Sequence, residues 1–147
     1  MKRNTKKQFT FIDLFAGIGG FHQGCAANGG RCVFASEWDK YAQETYRANY
    51  PKTPLYGDIT LKETKDAIPI GFDVLCGGFP CQAFSNAGLK KGFEDTRGTL
   101  FNEIAEILKA RKPKVALLEN VRGLVFHDNG RTLSTIISVL ESLGYHT

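Results

Sequence analysis

Apolar positions come in short runs separated by amphipathic stretches, and the two alternate along the whole chain. Phe9-Thr10-Phe11-Ile12-Asp13-Leu14-Phe15 is aromatic and β-branched in bulk, which predicts a first strand. Gly17-Ile18-Gly19-Gly20 turns it into a helix over 21–27, which Asn28-Gly29-Gly30 stops. Cys32-Val33-Phe34-Ala35-Ser36 predicts a second strand, and a helix follows over 40–49, ended by Tyr50-Pro51. Pro54-Leu55-Tyr56 predicts a short third strand, with Thr60 as the cap of a polar helix to Ala67. Phe72 to Cys76 is the fourth strand. The loop from Gly77 to about Arg97 is too long for a mere connection. Leu100 to Lys112 is amphipathic, with Leu100, Ile104, Ile107 and Leu108 on one face, and Pro113 stops it. Val115-Ala116-Leu117-Leu118 predicts the fifth strand. A last helix runs over 132–143, with Leu133, Ile136, Ile137 and Leu140 as its buried stripe.

This alternation predicts an α/β fold, a doubly wound and mostly parallel sheet of about five strands with helices on both faces. No repeat, low-complexity segment or linker interrupts it. The expected organisation is a basic tail over 1–8 and one domain over 9–147.

Composition narrows the class. At 147 residues and 42% hydrophobic, the chain can bury a core and should not be disordered. No apolar run approaches the roughly 20 residues that span a bilayer. The basic start leads into a strand and not into a signal-peptide core, so a cytoplasmic location is expected. The net charge of +4 allows a polyanionic partner. Lys2, Arg3, Lys6 and Lys7 crowd much of it into the tail. Cys25, Cys32, Cys76 and Cys81 show no CxxC spacing, and His22, His127 and His146 no ligand spacing. Neither zinc nor a disulfide framework is expected, and the histidines read as surface residues.

The polar signals fall at the carboxyl ends of the predicted strands, where open α/β folds bind ligands. Strand one ends in Asp13-Leu14-Phe15-Ala16-Gly17-Ile18-Gly19-Gly20. Its glycines let backbone approach a ligand, although a plain tight turn reads the same way. His22 stands where a GxGxxG pattern needs a small residue, which disfavours a nicotinamide cofactor. Glu37, 20 positions after Gly17, is placed to accept ribose hydroxyls, and Trp38 to stack on an adenine, although taken alone the pair reads more often as a surface acid beside a packing aromatic. Asp58 is placed to accept from an adenine amino group, or to serve as a turn residue. After strand four, Gly77-Gly78-Phe79-Pro80 puts Cys81 on a stiff turn, as a nucleophile or as an inert thiol. Glu119 ends strand five, where partial burial would raise its pKa and make it a proton donor, or where it merely caps or pairs. Lys90, Lys91 and Arg97 in the long loop suit phosphates.

These motifs, in this order and spacing, resemble the catalytic part of the DNA cytosine-5 methyltransferases. Asp13 to Gly20 resembles the family's cofactor loop, Glu37-Trp38 and Asp58-Ile59 its adenosine contacts, and Gly78-Phe79-Pro80-Cys81-Gln82 its catalytic loop. Gly98-Thr99-Leu100-Phe101 resembles a further cofactor-side segment and Glu119-Asn120-Val121 the second catalytic motif. The resemblance implies a methyltransferase-type Rossmann-like fold, S-adenosylmethionine as cofactor and DNA as partner, as in DNA methylation and restriction-modification. It assigns the cofactor to Asp13, Phe15, Gly17, Gly19, Gly20, Glu37, Trp38, Asp58, Ile59, Gly78, Pro80 and Leu100. Catalysis falls to Cys81 and Glu119, and DNA contact to Gln82, Ser85, Lys90, Lys91 and Arg97, with the loop around 85–93 closing over a flipped cytosine. No metal is implied.

The family pattern continues past Glu119 with an arginine-bearing motif, further strands and a target-recognition region that do not follow here. A split subunit, or a truncated product, needing a second polypeptide is therefore expected, with strand five as an exposed edge. Two other readings stay open. One is a tRNA cytosine-5 methyltransferase, the other a module that only binds cofactor or partner.

Overall fold

Bulky β-branched and aromatic side chains crowd a helical backbone but fit a pleated one, and the first strand is where they concentrate. β1 spans Phe9–Leu14, and its last four residues are buried. The computed structural model of the chain describes residues 8–81 and 99–147. Beside β1 lie β2 (Gly30–Ser36), β3 (Leu55–Tyr56), β4 (Val74–Gly78) and β5 (Val115–Glu119). The sheet order is β3-β2-β1-β4-β5. The pairs β1–β2, β1–β4 and β2–β3 are parallel, which is why helices must return the chain between strands. Those helices are α1 (Gly20–Ala27), α2 (Lys40–Asn49), α3 (Lys62–Asp66), α4 (Leu100–Arg111) and α5 (Arg131–Ser142). The order runs outward from β1 to β3, then restarts at β4 on the other side. This is the expected doubly wound parallel sheet, and its strand order reverses between β1 and β4.

The chain divides into two compact units. The first takes in the described residues up to Gly77, together with Pro113–Leu117. Phe11, Ile12, Leu14, Phe34 and Leu75 form its core and are wholly buried. Asp39 caps α2 by accepting from the Ala42 amide at 2.8 Å. Asp73 ties down the strand starts: Oδ2 accepts from the Thr10 amide at 2.9 Å and Oδ1 from Lys114 at 2.7 Å. These donors pull its pKa down to about 2, with the Lys114 hydrogen bond first. Among the described residues β3 and β5 are the edge strands, the latter as expected, and β5 leaves Val115 and Leu117 exposed.

The second unit comprises residues from Gly78 to Lys112 and from Leu118 onward. The hydroxyl of Thr99 caps α4 by accepting from the Asn102 amide at 3.2 Å, and Lys112 closes it with φ 49. Phe101, Ile104, Ala105, Ile107 and Leu108 are the buried side of α4, and Ile136, Val139 and Leu140 that of α5.

Several local expectations need correction. Thr60 does not cap α3: Leu61 holds that position, and the Thr60 amide instead donates to Asp58 Oδ1 at 2.8 Å, a turn formed by the aspartate side chain. Leu100, Leu133 and Ile137 are only half-buried, while Phe101 and Val139 fill the core positions. Two short segments between β5 and α5 had no helical pattern to announce them. Arg122–Val125 is a single 3-10 turn, and His127–Gly130 passes through Asp128 and Asn129 in left-handed backbone.

Candidate active site

At the end of β1 the backbone does what few sequences permit. Phe15 has φ 56, Gly17 φ 54 and Gly19 φ 99. Three left-handed residues in five turn the chain from strand into α1, and the amides of Ala16 and Gly19 are tied down within the turn by the carbonyls of Ser36 and Ala16. A non-glycine residue such as Phe15 pays about 1–2 kcal/mol for this conformation, and such strain concentrates at ligand sites. Gly19 is obligatory for a second reason: a Cβ there would lie 2.3 Å from the ring of Tyr50.

Glu37, at the end of β2, fixes this loop. The Gly17 amide donates to its Oε2 at 2.7 Å and the Asp39 amide to its Oε1 at 2.9 Å. Its carboxylate is only 8% exposed, so it is a loop anchor as well as a candidate acceptor for ribose. The anchoring was not foreseen from sequence. Trp38 beside it is 78% exposed, an expensive display for a large apolar ring. Asp58 is half-buried, with one oxygen engaged by Thr60, and Ile59 is buried beneath it.

Beneath the loop lies a polar interior. Asp13 is wholly buried, and among the described residues neither carboxylate oxygen has a partner at good hydrogen-bond geometry. Burial, reinforced by the charge of Glu37 and only partly offset by the nearby His22 backbone, lifts its pKa to about 7. His22 is not the surface residue expected. It is buried, stacked on Tyr50 with ring centroids 3.7 Å apart, and its Nδ1 lies 2.7 Å from the Tyr46 hydroxyl. Burial lowers its pKa. His127 is half-buried against Thr132 at 2.7 Å, a second correction, and His146 is exposed. Three cysteines share this interior. Cys25 and Cys76 face each other at 3.7 Å, and Cys32 lies 3.8 Å from the Tyr46 hydroxyl. Burial raises all three thiols, Cys32 to about 12. Such thiols are poor nucleophiles.

In the second unit β4 gives way to Phe79, Pro80 and Cys81. The Phe79 ring is buried against Phe101, centroids 5.5 Å apart. Its carbonyl accepts from Asn120 Nδ2 at 2.6 Å. Cys81 is the only exposed cysteine of the four. Glu119, at the end of β5, is exposed as well. The partial burial expected of it is absent, because β5 is an edge strand whose side chains alternate outward. Gly78 and Leu100 are half-buried and Pro80 is exposed. Gln82, Ser85, Lys90, Lys91, Arg97 and the basic tail over 1–7 lie outside the described residues. Among the described residues no group of three or more metal-ligating side chains occurs, and no helix is long and apolar enough to cross a membrane.

The family model for C-5 cytosine-specific DNA methylases matches residues 9–147. The chain belongs to that family. It is 62% identical over 143 residues to the type II methyltransferase M.HpaII of Haemophilus parainfluenzae, covering 97% of this chain and 40% of that protein. It is 58% identical over 146 residues to M.SsoII of Shigella sonnei, covering 97% and 37%. Among solved structures it superposes on the S. pombe Dnmt2 methyltransferase with TM-score 0.68 and 26% identity, covering 95% of this chain and 41% of that one. The chain of this C-5 cytosine methylase thus spans about two-fifths of the length of such relatives.

Membership gives the geometry a chemical frame. The chain presents a stiff glycine loop, an anchored carboxylate and an exposed indole at one set of strand ends. At another it presents one exposed thiol and one exposed carboxylate. Asn120, which grips the Phe79 carbonyl, received no role from the sequence. The signal was an amide-bearing residue directly after Glu119, but nothing in the pattern says which carbonyl it reaches.

Proposed function

We propose that this chain carries the cofactor site and the nucleophile of a DNA cytosine-5 methyltransferase, with S-adenosylmethionine as cofactor and Cys81 as the attacking group. The observation that carries this reading is the sorting of the cysteines. Cys76 is buried and Cys25 and Cys32 half-buried, burial raising all three thiols, while Cys81 alone stands exposed on a Phe-Pro turn at a strand's carboxyl end. The cofactor residues fit the group by chemistry. The Glu37 oxygens retain lone pairs for ribose hydroxyls, Trp38 offers a free ring face, and Asp58 has a second oxygen for an amino group. Asp13, Phe15, Gly17, Gly19, Gly20 and Ile59 belong to the first unit's share of the cofactor residues, and Gly78, Pro80 and Leu100 to the second unit's. When bound, S-adenosylmethionine supplies an electrophilic methyl group.

The chain's own residues would act on the cytosine as follows. Cys81, as thiolate, forms a sulfur bond to carbon 6, and the electron pair of the 5,6 double bond moves to carbon 5. Glu119, as the acid, donates a proton or hydrogen bond to ring nitrogen 3 and so stabilises the charge that develops. Glu119 is exposed in this chain, and a base stacked over it would shield it from water. After carbon 5 is methylated it loses its proton to solvent base, the double bond reforms, and the sulfur–carbon 6 bond breaks to return the thiolate. Gln82, Ser85, Lys90, Lys91 and Arg97 would contact the DNA, and a second polypeptide or segment would supply recognition of the target.

The test is covalent trapping. Duplex DNA carrying 5-fluorocytosine is incubated with cofactor and the chain, with and without a polypeptide supplying the remaining length of the relatives. An adduct mapping to Cys81 is expected, with Cys81→Ser reducing methyl transfer by several orders of magnitude because a hydroxyl is hardly ionised at neutral pH. Glu119→Gln should slow the reaction by about a hundredfold or more and leave cofactor affinity unchanged. An adduct on Cys25, Cys32 or Cys76 would contradict the assignment.

A further inference from the structure

The residue that follows the candidate acid reaches across to the turn that carries the candidate nucleophile. We propose that Asn120 is a positioning residue: by donating from Nδ2 to the Phe79 carbonyl at 2.6 Å, it holds the Pro80–Cys81 turn, and the thiol on it, in one orientation. The inference rests on the reading of Cys81 as nucleophile and adds the means by which that thiol is aimed.

Three observations carry it. Pro80 has no amide hydrogen with which to tie the turn to its surroundings, so the turn is held through its carbonyls, and that of Phe79 calls for a donor. Asn120 provides one from 41 positions away. Phe79 is thereby gripped twice, through its carbonyl and through its ring, which is buried against Phe101. Cys81 follows two residues later and has little freedom left to drift. The third observation is the orientation of the amide itself. Asn120 Oδ1 accepts from the Val121 amide at 2.9 Å, so turning the group over would set like against like at both ends. The same bond steadies the end of β5, directly after Glu119. One side chain thus serves both catalytic loops without touching the reacting atoms.

Fluorine NMR on the 147-residue chain, labelled at the exposed Cys81 with a trifluoroethyl thiol reagent, reads how many orientations the turn adopts. Cys81→Ser identifies the line by losing it. Wild type should give one narrow resonance. Asn120→Asp keeps the acceptor for Val121 and loses the donor to Phe79, so its resonance should broaden or split while the melting temperature stays near wild type. Asn120→Gln keeps the amide on a longer arm and should recover a single line. A resonance from Asn120→Asp identical to wild type overturns the proposal. So does a split line in Asn120→Gln beside a single one in Asn120→Asp. Should Asn120→Asp fail to fold, Asn120→Ser, too short to reach the carbonyl and uncharged, is read in its place with the same two outcomes. Failure of the Cys81 reading itself would show elsewhere, as methyl transfer that survives Cys81→Ser.

Discussion

The glycine loop after β1 and the Phe-Pro-Cys turn after β4 are built on different terms. In the first unit the functional candidates arrive already engaged. Both Glu37 oxygens hold backbone amides, Asp58 holds a turn, and the glycines are locked by left-handed backbone and by Tyr50. In the second unit Cys81 and Glu119 stand exposed, and the bond that matters lies beside them in the chain, between Phe79, two residues before Cys81, and Asn120, directly after Glu119. A cofactor site gains affinity from groups fixed before the ligand comes, because ordering them later would cost binding energy. A nucleophile and an acid that act on a flipped base must stay open until the base arrives. One region is preformed and the other is poised, and each is held by a residue whose role its own motif does not announce.

That contrast can be broken most forcefully at the glycines. Gly19→Ala should destabilise the fold by about 3 kcal/mol or more, since the new methyl must displace Tyr50 and bear the wrong φ. Gly17→Ala meets nothing within 4 Å and should lose only about 1–2 kcal/mol from backbone strain. Urea unfolding of the two variants compares them. Equal losses would mean that the loop is not packed as described.

Next in size is the buried carboxyl under the loop. The pKa of Asp13 rises from 3.8 to about 7 on folding. Below the lower value both states are protonated and burial carries no charge penalty. As pH rises towards about 7 the unfolded chain ionises while the folded one resists, so stability falls through that window and stays low above it. Asp13→Asn removes the penalty. It should gain about 3–4 kcal/mol over wild type near pH 8, and the difference should vanish near pH 4. A difference that does not vary with pH would show that Asp13 is ionised throughout.

Much of this was legible beforehand, for definite reasons. The apolar runs announced β1, β2 and β4 most clearly, because a strand in the middle of a parallel sheet is buried on both faces and must be largely apolar. The strand-end motifs survived because glycine and proline constrain backbone locally, whatever surrounds them. What the sequence hid was non-local. His22 looks polar in a list of residues, and only the approach of α2 shows it stacked on Tyr50. Thr60 has the chemistry of a cap, but it lies in the turn that Asp58 forms, and α3 starts one residue later, with Leu61 at the cap position. Glu119 follows apolar residues, yet an edge strand does not bury them. The Asn120–Phe79 bond joins residues 41 positions apart, beyond any periodicity.

The preformed character of the first region is the central claim, and Trp38 tests it most directly. Its ring is 78% exposed and packs on no other aromatic among the described residues, so removing it should leave the melting temperature almost unmoved. If the ring is displayed for an adenine, calorimetric titration of S-adenosylmethionine into the chain should show saturable binding. Trp38→Ala should then weaken it by about 1–3 kcal/mol, the worth of a stacked and buried aromatic face. Equal affinities for the two proteins, or a melting temperature that falls with the substitution while binding holds, would contradict a cofactor site completed before its ligand arrives.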